Sequence, residues 1–145
     1  MMKFNLKDLH KRLKVASKKN ASSSEAVTKM KKLFGDNTLP DEYISFITQA
    51  SEVEISIDDI CFIRIWGAEG VIEMNNAYHV QKYIPGGVAI GDDEGGSVIL
   101  YAEGENGYGL YKTGFGDLDI DDSEYIADSL RSLLLNGDGI EKFIE

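Results

Sequence analysis

With one cysteine, Cys61, the chain has no second thiol for an internal disulfide, so packing alone must hold its fold. The apolar run Ile60-Cys61-Phe62-Ile63 reads as core rather than reactive surface, and a free thiol suits a reducing compartment. Two prolines in 145 residues, against 43% apolar and 28% charged, exclude a collagenous or disordered composition. Nowhere do about 18 apolar residues run together, and charges interrupt the N-terminus too often for a signal peptide. A cytoplasmic protein without a membrane partner is therefore expected.

Histidine is equally scarce. His10 and His79 lie far apart in sequence and, with one cysteine, do not make a four-ligand zinc set. Cys61 with His79 is the only Cys/His pair worth weighing, but an apolar strand supports a thiolate poorly. Asp117, Asp119 and Asp121 imitate the opening of a calcium loop, yet Asp122 stands where glycine must turn and Asp128 where glutamate must close. Gly91-Asp92-Asp93-Glu94-Gly95-Gly96 lacks the lysine of a phosphate loop and would aim three carboxylates at the phosphate. These acids are neighbours on one loop, not opposed across a scissile bond, so a hydrolase is the weakest alternative. No catalytic residue, metal or cofactor is expected.

Charge is present in excess, and unevenly. Residues 1–40 carry ten Lys or Arg against three acids, a net of +7. Residues 41–145 carry five against 22, a net of −17. The body should repel nucleic acid and membrane phosphates and attract a basic protein.

Periodicity orders the rest. Leu6, Leu9 and Leu13 are spaced for a short helix with a lysine-rich face, followed by a polar linker from Ser17 to Ser24. Ser22 and Glu25 have capping-box spacing, Ala26, Val27, Met30, Leu33 and Phe34 continue a helix, and Gly35-Asp36-Asn37 stops it. Pro40 opens a helix running to about Ala50 with Tyr43, Phe46 and Ile47 on one face. Val53, Ile55 and Ile57 then alternate, and Cys61 to Trp66 makes a second strand after a turn at Asp58-Asp59. A short helix fits Val71 to Tyr83. Ten of the fifteen glycines fall between Gly86 and Gly116, separating short apolar runs, which predicts an antiparallel meander. Asp121-Asp122-Ser123-Glu124 reads as the start of a last helix carrying Ile126, Ala127, Leu130, Leu133 and Leu134. The fold class is α+β: one twisted, mainly antiparallel sheet with helices packed against it.

Several of these pieces resemble the SUKH superfamily, the bacterial relatives of a fungal cell-wall synthesis regulator. They are Leu39-Pro40-Asp41-Glu42-Tyr43-Ile44-Ser45-Phe46; Ile63-Arg64-Ile65-Trp66; Glu73, Asn75 and Tyr78; Tyr83-Ile84-Pro85-Gly86; and Val88 through Gly96. The similarity runs from Glu25 to Leu135, within a single domain of residues 1–145 whose residues 1–21 are a basic helical extension and linker. Gln49-Ala50-Ser51 departs from the asparagine-glycine pair frequent there. The resemblance implies a binding protein that neutralises a polymorphic toxin, often a nuclease, and so a cognate and basic toxin protein as partner. A regulatory scaffold binding a housekeeping protein is the alternative; monomer or weak homodimer is expected. Aromatics supply contact area at small entropic cost and acids supply steering. On that basis the expected interface is Trp66, Glu73, Tyr78, Asp92, Asp93, Glu94, Tyr108 and Tyr111, although for Trp66 by itself a core position is favoured.

Overall fold

Alternation sets the first hairpin. Val53, Ile55 and Ile57 of one strand, Ser51–Ile57, face Ile65, Ile63 and Cys61 of the next, Cys61–Ile65. Asp58 and Asp59 between them take φ of 54° and 59°, and the Ile60 N–H closes on Ile57 O at 2.9 Å. Two left-handed residues give the twist a tight hairpin needs. In the structure, a computed structural model describing residues 5–35 and 39–144, these strands are β2 and β3. The expected helix stop at Asp36-Asn37 lies outside the described residues. Gly35, at φ 94°, donates its N–H to Lys31 O as a helix terminator should.

The meander forms as expected, from β4 (Val88–Asp92), β5 (Ser97–Gly104) and β6 (Gly107–Gly114). One strand is added at each end, β1 (Leu13–Lys19) and β7 (Glu124–Ala127), giving an open seven-stranded antiparallel sheet in sequential order β1 to β7. Helices α1 (Ser24–Phe34), α2 (Asp41–Ile47), α3 (Ala68–Ala77) and α4 (Val80–Tyr83) accompany it. Met30, Tyr43, Phe46, Ile47, Ile55 and Ile65 are fully buried in one continuous core. Each such side chain contributes on the order of 1.5–3 kcal/mol.

Four expectations require correction. The basic helix is only a turn at Leu6–Asp8. The chain then extends, because Leu13 and Val15 pair with Ile57 and Ile55 and prolong the alternating face of β2. Arg12 fastens this segment by donating to both carboxylate oxygens of Asp58, at 3.0 and 2.6 Å, and that hydrogen bonding holds Asp58 below its usual range. Consequently Ser17 to Lys19 is strand, not linker.

The α1 cap is Ser23, which accepts from Ala26 N–H at 3.1 Å, while Ser22 accepts from Ala68 N–H at 3.0 Å and caps α3 instead. The middle helix breaks at His79, in the left-handed region at φ 55°, into α3 and α4. The last helix is replaced by β7, where Tyr125 pairs with Tyr111 and Ala127 with Leu110, followed by a helical stretch from Leu130 to Asn136.

Two side chains join these parts over long distances. Glu42 accepts N–H bonds from Leu130 at 2.8 Å and Arg131 at 3.1 Å, and also the Tyr101 hydroxyl, so an α2 carboxylate caps the C-terminal helical stretch. Asn75 serves the sheet directly. The β3–β4 ladder holds only Arg64 with Asp92 and Ile65 with Gly91, so β4 runs on past its neighbour. Asn75 takes over there: its amide nitrogen donates to Ala89 O at 2.8 Å and its oxygen accepts from Ala89 N–H at 2.9 Å. Gln81 continues the arrangement by donating to Asn75 Oδ1 and to Gly87 O. Because Asn75 is buried, removing its amide strands two backbone groups out of water. Asn75→Ala should lower stability by about 2–4 kcal/mol, read as a reduced urea midpoint at unchanged slope. A shift within measurement error would show that Ala89 is satisfied otherwise.

Candidate partner-binding surface

Where β3 and β4 do pair, Gly91 makes the contact possible: a Cβ there would meet Arg64 O at 2.2 Å. Close approach sets Arg64 beside Asp92, and three carboxylates share its guanidinium: Glu94 at 3.3 Å, Asp92 at 3.8 Å and Glu54 at 3.9 Å. One cation among three acids leaves the cluster net negative. Despite Arg64, the Glu94 carboxyl is pushed above its ordinary range, first by lost hydration and then by its hydrogen bond with Glu54. The strength of a lone ion pair is diluted when the arginine is divided.

Asp92 has internal duties. Its Oδ2 accepts the Trp66 indole N–H at 2.8 Å and its Oδ1 accepts Glu94 N–H at 2.8 Å. Asp93 likewise closes the β4–β5 turn, accepting from Gly95 N–H at 2.8 Å and Ser97 N–H at 3.0 Å. Trp66 lies 6.4 Å from the Phe115 ring, and Phe115 lies 4.5 Å from Tyr78, which is 40% exposed. Beyond Phe115 a cleft of 360 Å³ is lined by Tyr78, His79, Tyr83, Asp117 and Leu118.

Five of the eight expected residues, Tyr78, Trp66, Asp92, Asp93 and Glu94, are thereby joined into one strip. Two of these need correction as contact residues: Trp66 and Asp92 are buried and support the strip from beneath. Tyr111 is also buried; its hydroxyl donates to Gly107 O at 2.6 Å and accepts from Asn106 N–H, fixing the β5–β6 turn. Tyr108 is exposed but sits at the opposite end of β6 from Thr113, stacked on Tyr101 at 5.9 Å. Five residues of strand put it roughly 17 Å from the acidic end. Glu73 is exposed elsewhere on α3, in a groove with Lys18 and Lys19.

Arg64, Glu54 and Phe115 were not anticipated. Arg64 left a signal, being the one basic residue between Lys32 and Lys82 and placed in a strand. The Cys61 thiol donates to Phe143 O at 3.4 Å and burial raises its pKa, but the run expected to be core is so only in part: Ile63 is buried, Cys61 is half-buried, and Ile60 and Phe62 are exposed. Asp119 caps a local turn by accepting Asp121 N–H at 2.9 Å. Among the described residues, no three His, Cys, Asp or Glu side chains group as a metal site, and no helix is long and apolar enough to cross a membrane.

A sequential antiparallel sheet with helices packed against it, carrying a tyrosine and carboxylate strip at one end, defines an α+β protein with an acidic, aromatic surface. The chain belongs to the SMI1 / KNR4 family (SUKH-1), whose model matches residues 21–136. Comparison with curated proteins gave no match.

The raised Glu94 pKa has a definite sign. The folded state holds this proton to higher pH than the unfolded chain, so the stabilisation exists below the ordinary value of 4.5 and is lost as pH rises through the folded pKa. Glu94→Gln should therefore stabilise at pH 7, by at most about 1 kcal/mol after solvent screening, and the gain should vanish toward pH 4. Thermal melts across that range decide it; a less stable variant at pH 7 would mean that the Arg64 pair dominates.

Proposed function

We propose that this protein is a cytoplasmic immunity protein that binds and neutralises a cognate bacterial toxin with a basic surface. The observation that carries this reading is the strip itself, where exposed Tyr78 and half-buried Phe115, with Asp117 in the cleft beside them, are tied through Trp66 and Asp92 to Glu94 and Glu54 on a body of net charge −17. Tyrosine anchors supply affinity, and carboxylates around them raise the rate at which a basic partner is met. A toxin that acts on nucleic acid presents such a surface, and the acidic body would compete for it. Membership of the SMI1 / KNR4 family supports a protein partner in general.

Affinity capture with the purified protein from its source cells, at low and moderate salt, tests the reading. The expected result is a basic toxin domain whose activity the protein stops. Capture of housekeeping proteins alone would instead make the protein a regulatory scaffold. With the toxin in hand, Glu94→Lys together with Asp117→Lys should slow association several-fold and flatten its salt dependence. Tyr78→Ala should chiefly speed dissociation, by about tenfold. Unchanged kinetics in both variants would remove the strip from the interface.

A further inference from the structure

An open sheet has two edges, and this fold treats them differently. At β7 the chain returns against the strand: Gly139 lies so close that a Cβ would meet Ile126 O at 2.2 Å, which covers that edge. Among the described residues β1 pairs as a strand with β2 alone, and every residue from Lys14 to Lys19 is exposed. Such an edge offers backbone donors and acceptors to a further strand.

Its side chains determine which strand. Lys14, Lys18 and Lys19 stand along β1; Lys14 reaches Asp59 at 3.6 Å and Lys19 reaches Glu52 at 2.5 Å. All four of these partnered side chains are 42% exposed or more, so the pairs exchange at little cost. A second copy of β1 would set lysines against lysines, which destabilises a ladder. The covered β7 edge offers no alternative seat for β1 of a neighbouring molecule.

We propose that the β1 edge is a second docking site, which takes an extended acidic segment of another protein as an eighth strand. The segment's carboxylates would lie across from Lys14, Lys18 and Lys19, at about 4.8 Å strand spacing. This site is opposite in charge to the Tyr78–Glu94 strip, and β1 precedes residues 21–136 matched by the family, so it stands apart from the toxin reading.

Two short peptides test it, one alternating Glu and Val, the other Lys and Val, each titrated into the full chain with amide exchange followed by NMR. Lys18 and Lys19 are neighbours and face opposite sides of the sheet, so an alternating peptide opposes at most two of the three lysines at once, and the Glu peptide should bind several-fold more tightly than the Lys peptide. The amides that gain protection should be those of Lys14–Lys19. The exposed substitutions K14E, K18E and K19E together should reverse the preference between peptides while leaving the thermal melt cooperative. Equal affinities, no binding, protection outside β1, or self-association of the protein through β1 would each overturn the proposal.

Discussion

The sheet depends on how β4 is satisfied after β3 has ended. Two residue pairs join these strands, and beyond them a side-chain amide and one backbone N–H replace the missing ladder: Asn75 on Ala89, and Trp66 N–H on Ile90 O at 2.7 Å. That substitution binds α3 to the sheet without a further strand, and it fixes Trp66 at the point where β3 turns into α3. The Tyr43 hydroxyl then donates to Trp66 O, bringing α2 to the same corner, and burial drives the Tyr43 pKa far above its usual range. One corner thus gathers β3, β4, α2 and α3. Its outer side is the candidate surface, since the Trp66 indole holds Asp92 and the Trp66 ring supports Phe115 beneath Tyr78.

Acidity in this protein divides into two kinds of work. Glu42, Asp92 and Asp93 accept hydrogen bonds from the chain itself, and their charges are committed to holding a helix end, an indole and a turn. Glu94 and Asp117 stand at the surface, where charge acts on whatever approaches. Net charge alone does not separate these roles, although it sets the sign of the field a partner meets. Arg64 moderates the cluster without neutralising it, which keeps three carboxylates together while leaving a negative balance.

Period and turn chemistry made the interior legible. The β2–β3 hairpin, α1, α2 and the glycine-spaced meander could be read because each element carries a local pattern of sufficient length. The edges were not legible. Leu6, Leu9 and Leu13 have helical spacing, yet pairing of Leu13 and Val15 with β2 outweighs it. Ile126 and Ala127 fit a helical stripe with Leu130, but Tyr125 and Ala127 pair with β6 and the helical stretch begins only at Leu130. Short edge strands are defined by their neighbours, which no local window contains. The same limit applied to the site: residues near in sequence, Asp92 to Glu94, were placed correctly together, whereas Phe115 reached Tyr78 only through the fold, and Tyr108 and Tyr111 proved to belong to the other end of β6.

On the proposed function, a basic partner seats on the strip running from Tyr78 across Phe115 to Glu94. Amide hydrogen exchange of the protein with and without its captured partner measures this directly. Protection concentrated at the α3–α4 break around Tyr78, the segment after β6 and the β4–β5 turn is the result this account predicts. Protection confined to the Tyr108 end of β6, with the Tyr78 and Glu94 segments unchanged, would contradict it.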